Sequence, residues 1–457
     1  MINGFEFERI RRTRLPQSWQ EDGALEDLQE FLQKNWQQRS IFYSDGFYTS
    51  NQQFIDFDRK DAIKLQNYVG TIVFRGEQLN IFPKVFKEDE DDHDSSGLAI
   101  NELINNLLYW LQYCDRLNFP FIQFKSDISE TTSLVELFIT VYVHYVKAAI
   151  ERQRFHRYED VTESGSYVKG KINLYDYAMR KVPSGNLGQL EYTYSSFVFD
   201  NTLNQIIKCT CRQLFQITEQ AANKKAIHKI LTMLADVSDK NCMPYECDAV
   251  KLSSLHSRYQ IILSMSKMFL MNKASNAAIG REDNFCFLFP AEVLFEGFIG
   301  GFLKEMLLDT ARVVTQASDQ YLAELVVDGE IIGNAFMLKE DILVEFSDRI
   351  IVLDTKYKEI ERFNRIRENK KLGISDSDMK QMAIYAAKRG AKKLFLLYPL
   401  HLYESPETIE VIYNIHLNEL GDGIDIPLEI IKVPFAIRES ETETRELLRS
   451  MLQKVAK

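Results

Sequence analysis

Asp341 and the triplet Asp354-Thr355-Lys356 are the residues whose types and spacing most clearly suggest chemistry. The stretch DILVEFSDRIIVLDTKYK reads as two short strands, 341–346 and 349–356, rich in Ile, Val, Leu and Phe around Ser347-Asp348. If that pair centres a hairpin, Asp341 lies directly opposite Asp354. Lys356 falls two residues on, on the same face, because side chains alternate along a strand. Facing carboxylates at the end of an apolar hairpin repel and weaken the sheet. A divalent cation between them relieves that repulsion, and an ammonium beside such a metal suits the activation of water against a phosphodiester. The same residues also fit plain solvated strand ends. Ser-Asp is not among the strong two-residue turn pairs, and a loop of odd length would carry one carboxylate to the other face.

The elements that must position these groups are legible in outline. Residues 1–86 read as β-rich, with strand-like FYTSNQQF, YVGTIVFRG and QLNIFPKVF and a turn at Gly76-Glu77. An acidic loop, KEDEDDHDSSG at 87–97, reads as a linker, its carboxylates too dense for a calcium loop. Helical periodicity follows over 98–115, with Leu103, Ile104, Leu107, Leu108 and Leu111 on one face, and again over 131–152. Residues 157–196 show no clear period, and helical patterns return near 201–218, 223–236 and 251–271. From about 286 the character changes to a helix (PAEVLFEGFIGGFLKEML), strands near 311–316, 321–327 and 333–338, the hairpin, a helix near 376–389, and strands LFLLY and IEVIYNI. The expected architecture is multidomain α+β: a β-rich N-terminal region 1–97, a mainly helical region 98–285 and a C-terminal α/β domain 286–457 with a mixed sheet flanked by helices.

Composition narrows the class. The 457 residues, 45% hydrophobic and 26% charged, are those of an ordinary soluble protein. The stretch MINGFEFERIRRTRLPQ lacks the apolar core of a signal peptide, and the most apolar run, Leu134 to Val146, is too short to span a bilayer. A cytoplasmic location without membrane attachment is expected. Cysteines at 114, 209, 211, 242, 247 and 286 include only one loop pair, Cys242/Cys247, with no second pair to complete a zinc site, so they read as reduced thiols. The net charge of −11 disfavours unaided binding to duplex DNA, which draws on phosphate neutralisation. Locally the balance reverses, because Lys356–Lys393 carries twelve Lys/Arg against five Asp/Glu. That strip fits DNA, or a solvated helix face.

Other chemistries find little support. Gly165-Ser166-Tyr167-Val168-Lys169-Gly170-Lys171 has the spacing of a phosphate-binding loop, but Ile172 replaces the hydroxyl that would hold magnesium, and no apolar strand feeds it. No HExxH pair or GxSxG elbow occurs.

Glu296, in the helix before the strands, can add a third carboxylate to the hairpin edge, and Gln381 can reach it with an amide. This order of Glu, Asp, Asp-x-Lys and Gln resembles the PD-(D/E)XK nuclease core, with Glu340 where a proline usually precedes the first aspartate and as a competing ligand. Over most of its length the chain resembles the McrC family, nuclease subunits of the McrBC type IV, modified-cytosine-dependent restriction systems. The resemblance rests on YVGTIVFRGEQLNIFPKVF at 68–86, YVKGKI at 167–172, FVFDNTLNQIIK at 197–208, LFEGFIGGFL at 294–303 and the step from Asp341 to Asp354-Thr355-Lys356. It implies Asp341, Asp354 and the Thr355 carbonyl as ligands of Mg2+, with Mn2+ as a substitute. Lys356 would be the catalytic lysine, with Glu296 and Gln381 supporting. The implied partners are double-stranded DNA and an McrB-like AAA+ GTPase hexamer, with residues 1–285 docking to that ring and stimulating it. A non-cleaving, GTPase-activating subunit and a stand-alone nuclease are the alternatives.

Overall fold

The hairpin forms with the register that the alternation requires. Glu340–Glu345 and Ile350–Thr355 pair antiparallel, with Ile342 opposite Leu353 and Glu345 opposite Ile350. Phe346 N–H donates to the Arg349 carbonyl at 2.9 Å, so Ser347-Asp348 is the two-residue loop. Carried one pair past Ile342 and Leu353, the register sets Asp341 beside Asp354.

This computed structural model describes residues 2–37, 54–58, 62–87, 100–114, 134–185, 187–279, 284–328, 330–406, 409–417 and 424–456. The chain divides into two units, Met1–Leu134 with Asp283–Lys457, and Val135–Glu282. The breaks fall at 134/135 and 282/283, the second of them close to the segment boundary expected near 285. Hydrogen bonds between strands distant in sequence unite the first and last parts of the chain, which no local pattern reveals. All of FYTSNQQF but Phe54, and most of the acidic loop, lie outside the described residues.

In the first unit, one sheet holds β1 (Ile2–Phe5), β2 (Tyr68–Phe74), β3 (Glu77–Phe82) and β4 (Phe285–Pro290) in the order β1-β3-β2-β4. The β1/β3 pair is parallel, and the other two pairs are antiparallel. Phe74 pairs with Glu77, so the turn is Arg75-Gly76, both at positive φ (52° and 74°) as a tight hairpin turn requires. The sequence reading placed this turn one residue late.

The second sheet carries the hairpin. It comprises β5 (Arg312–Ala317), β6 (Glu340–Glu345), β7 (Ile350–Thr355), β8 (Lys393–Leu400), β9 (Val411–Leu417) and β10 (Ile424–Pro434), ordered β5-β6-β7-β8-β10-β9. It is mixed, because β7/β8 and β8/β10 are parallel and the rest antiparallel. The expected strands near 321–327 and 333–338 form instead a separate ribbon, Tyr321–Val327 with Glu330–Met337.

Helices cover both faces of this sheet. Helix α1 (Ala291–Met306) packs on β5 and β6, and α3 (Glu441–Ala456) on β10. Between them, α2 (Asp376–Arg389) closes the other face over Leu343, Val352, Leu394, Leu396 and Leu428 through Met382, Tyr385 and Ala386. Local chemistry fixes α2 at both ends. Ser375 caps it by accepting the Asp378 N–H, Asp376 and Asp378 sit in the positively polarised first turn, and Gly390 ends it at φ 62°.

The second unit is described by itself. Its helices are Leu134–Arg152, Thr202–Ile217, Ala221–Met233 and Arg258–Ile279, close to the helical patterns of the sequence. The stretch without a clear period folds as a sheet, Arg157–Gly165 and Lys171–Ile172 flanking Leu190–Val198. Most of its side chains are exposed or half-buried, so no apolar alternation announces it. The near phosphate loop, Gly165–Lys171, merely joins two of these strands. All six cysteines are buried, and none is in a disulfide. Among the described residues no helix is long and apolar enough to cross a membrane.

The glycines of GFIGGFL let α1 approach its neighbours. A Cβ at Gly301 would lie 2.0 Å from the Tyr113 carbonyl oxygen. Alanine gains roughly 1 kcal/mol of helix propensity over glycine, but the clash must move backbone, which costs more. Gly301→Ala is therefore expected to destabilise the chain by roughly 2 kcal/mol or more. Thermal unfolding measures this, and an unchanged or higher melting temperature would show that the helix is not seated this closely.

Candidate active site

The site grows from the ends of β6 and β7, where the apolar alternation stops and carboxylates begin. Asp341 Oδ2 accepts hydrogen bonds from Thr355 N–H at 2.9 Å and Thr355 Oγ1 at 2.8 Å. Its other oxygen lies 3.4 Å from the Gln316 amide nitrogen, which also donates to Glu296 on α1. Gln316 stands at φ 54°, a left-handed conformation costly for a residue with a Cβ. The pairs Thr315/Ile342 and Ala317/Glu340 flank it in the β5/β6 ladder. That backbone twist lets one amide serve two acids.

Asp354 is 1% exposed. Its Oδ2 meets the Lys356 ammonium at 2.5 Å as an ion pair, and its Oδ1 has no hydrogen-bond partner among the described residues. Burial, followed by the charge of Asp341, pushes the Asp354 carboxyl up to about 7 against the pull of Lys356. Burial works to lower the lysine, but the charges of Asp354, Asp341 and Asp378 outweigh it and hold the ammonium above its ordinary value. Lys356 is thus a fixed cation at neutral pH.

Helix α2 supplies the remaining contacts. Lys356 Nζ donates to Gln381 Oε1 at 3.1 Å and lies 3.8 Å from Asp378 Oδ1. The Gln381 amide donates to Tyr385 OH at 2.6 Å, and that hydroxyl donates to the Lys339 carbonyl at 2.7 Å. Asp378 is buried, which by itself raises a carboxyl, yet Ser375, Lys358 and Lys356 together hold it below the ordinary value.

Glu340 does not compete with Asp341. It is fully buried and held by Arg389 through two parallel hydrogen bonds of 2.9 Å, and Arg389 also engages Asp319. The basic strip is likewise less free than its sequence suggests. Lys358 pairs with Asp378, Lys371 with Asp376, and Lys393 with Glu429. Arg362, Arg365, Arg367, Lys370, Lys380, Lys388 and Lys392 are exposed.

The structure therefore brings every sequence-predicted site residue to one end of the sheet. Glu296, Asp341 and Thr355 join through Gln316 in one hydrogen-bonded group, and Asp354, Lys356 and Gln381 form a second. Gln316, Asp378, Tyr385 and Arg389 were missed. The first required knowing that β5 pairs with β6. Asp378 and Tyr385 carried a local signal, standing one turn before and after Gln381 on one helix.

Among the described residues no three His, Cys, Asp or Glu side chains converge as a ready-made cation cage. The donor set nevertheless suits a hard cation, because Asp354 presents a buried carboxylate oxygen without a hydrogen bond beside a second carboxylate.

A mixed sheet that joins two carboxylates and a lysine at the ends of adjacent strands, with helices on both faces, defines an α+β protein with a candidate active site. The family model for the McrBC 5-methylcytosine restriction system component matches residues 63–399, and the chain belongs to that family. The chain is similar to a refined half-complex from a tetradecameric assembly of Thermococcus gammatolerans McrB AAA+ hexamers with bound McrC. That match has a TM-score of 0.64 and 16% identity over 99% of each chain. A cryo-EM structure of the Thermococcus gammatolerans McrBC complex matches at a TM-score of 0.47 and 20% identity, covering 70% of this chain and 89% of that one. No curated protein matches the chain.

Because the Asp354 pKa is raised, the folded chain binds this proton more tightly than the unfolded chain does. The resulting stabilisation is fully present below the ordinary carboxylate value of 3.8 and is lost as pH rises through about 7. Asp354→Asn cannot ionise. Without divalent cation it is expected to melt higher than the native chain at about pH 8 and to lose that advantage towards about pH 5. Thermal unfolding across this range checks the sign; a native chain that gains on the variant as pH rises would contradict it.

Proposed function

We propose that the chain is the metal-dependent DNA endonuclease subunit of a modified-cytosine restriction complex driven by a GTP-hydrolysing AAA+ ring. The observation that carries this reading is the buried Asp354 carboxylate, set beside Asp341 and bridged to an ammonium that α2 also holds. Family membership supports the restriction role. The McrB hexamers with bound McrC in the similar structure support a hexameric ring as partner.

On this reading Asp341, Asp354 and the Thr355 carbonyl would hold Mg2+, or Mn2+ in its place. When bound there, the cation supplies positive charge for the developing oxyanion of the phosphodiester. Thr355 fixes Asp341 through two hydrogen bonds, so its carboxylate is oriented before anything binds. Lys356 is held protonated and serves as a fixed positive charge and hydrogen-bond donor towards the attacked phosphate and its water, rather than as a base. Gln381 keeps the ammonium at the site, and Tyr385 in turn fixes the Gln381 amide. The exposed cations from Arg362 to Lys392 would meet the DNA backbone without reading sequence. Choice of modified DNA falls to the partner.

The lack of a preformed three-acid cage among the described residues favours a second reading, an assembly and GTPase-activating subunit that does not cut. One variant separates the two. Lys356→Ala is expected to lower DNA cleavage by about a thousandfold or more, with partner binding and GTP turnover kept. Cleavage is followed on methylated duplex with the partner, Mg2+ and GTP. Retained cleavage removes this mechanism, and absence of cleavage by the native chain favours the second reading.

A further inference from the structure

We propose that Glu6 and Tyr357 are positioning residues for Lys356: a carboxylate of the N-terminal sheet clamps the chain just past β7 and so sets where the ammonium stands. The inference rests on the nuclease reading of Lys356 and extends it to residues outside the hairpin and its helices.

The β7/β8 ladder ends at Lys356, whose N–H donates to the Leu397 carbonyl at 2.8 Å. At once the chain turns, with Lys358 N–H donating to the Lys356 carbonyl at 2.8 Å. Among the described residues no further strand pairing of β7 holds this end, and Tyr357 is anchored otherwise. Its ring lies among Phe295 of α1 and Phe435, with centroids 5.9 and 5.8 Å away. Its hydroxyl donates to Glu6 Oε1 at 2.6 Å.

The anchor is built from the other sheet. Parallel pairing of β1 and β3 ends at Phe5 and Phe82, so the residues that follow, Glu6 and Lys84, emerge side by side. Lys84 N–H donates to the same Glu6 oxygen at 3.0 Å. The Lys84 ammonium lies 4.8 Å from the Tyr357 ring centroid and donates to the Tyr357 carbonyl at 3.2 Å. The tyrosine is therefore gripped at hydroxyl, ring and carbonyl by two residues of the N-terminal sheet. Glu6 itself is 1% exposed, so its aim at Tyr357 comes from packing rather than from solvent. Tyr357 is the centre of that turn, so holding it at three points also restrains the adjoining backbone from which Lys356 reaches Asp354 and Gln381.

The test compares the native chain, Tyr357→Phe, Glu6→Met, which keeps the length of the side chain but has no oxygen to accept the tyrosine hydroxyl, and the double variant, each with its partner, Mg2+, GTP and methylated duplex DNA. Both single variants conserve shape and are expected to melt near the native temperature. The turnover number for cleavage should fall about tenfold with KM for DNA within about twofold, since misplacing a reacting group costs rate more than binding. The double variant should lose no more than either single one, because both remove one contact. A second measurement needs no cleavage: reductive methylation of Lys356, followed by mass spectrometry, should run about threefold faster in the variants as the amine loosens from its partners. Native turnover and native methylation in a folded single variant would overturn the clamp. Should Tyr357→Phe fail to fold, Glu6→Met decides alone. If the native chain cuts no DNA, the nuclease reading falls, and the clamp stands or falls on methylation.

Discussion

The C-terminal sheet is organised around a like-charge pair, buried Asp354 beside half-buried Asp341, that one ammonium only partly offsets. Taking a carboxylate out of water costs several kcal/mol unless charge and hydrogen bonds replace the solvent. Asp354 has Lys356 at 2.5 Å on one oxygen and no hydrogen bond on the other. Its carboxyl therefore sits near 7 rather than in the ordinary range. An apolar pair at the same ladder position would stabilise the sheet more simply. The surrounding structure tolerates the carboxylates because it restrains their neighbours: Thr355 ties Asp341 down, and Gln381 and Asp378 keep Lys356 from leaving.

That restraint extends outward by contacts with little freedom. Gln316 bears a left-handed backbone so that one amide can face both Glu296 and Asp341. Glu340 would be a ruinous buried charge alone, but Arg389 meets it with two hydrogen bonds, and its guanidinium is held further above its ordinary value by them. Arg389 comes from the last turn of α2, the helix that also supplies Gln381 and Asp378. A single helix thus neutralises the acid beside Asp341 and anchors the lysine beside Asp354. The two tasks fix its rotation about its own axis as well as its distance from the sheet.

Local pattern carried much of this. The hairpin, its pairing and the acids at its mouth follow from strand alternation around Ser347-Asp348, and α2 is announced by its Ser cap and Gly390. What was illegible depends on partners far along the chain. Phe285–Pro290 reads as a fragment before a helix, yet it is an edge of a sheet that begins at Ile2. Gln316 looks like an ordinary strand end until β5 is laid against β6. The basic strip looked like a single surface, but Asp376 and Asp378, in the same helix, already engage Lys371 and Lys358. The sheet of residues 157–198 escaped notice because its strands bury too little on either face to show a period.

Charge then bears on how such a site could meet DNA. The chain carries a net −11, and internal pairing occupies several cations of the basic segment beside the site. The exposed remainder runs from Arg362 through a short irregular stretch and along α2 to Lys392. Only Lys380 and Lys388 among them lie on α2 itself, so the exposed cations do not form one helix face. Each phosphate contact contributes through counterion release, with a salt dependence close to one power per contact. A handful of contacts against an overall negative field gives weak association that salt removes readily. On the nuclease reading the duplex must then be delivered and held by another subunit. An acidic body would also keep the cutting site from engaging unselected DNA, so the same charge that weakens binding contributes to restraint.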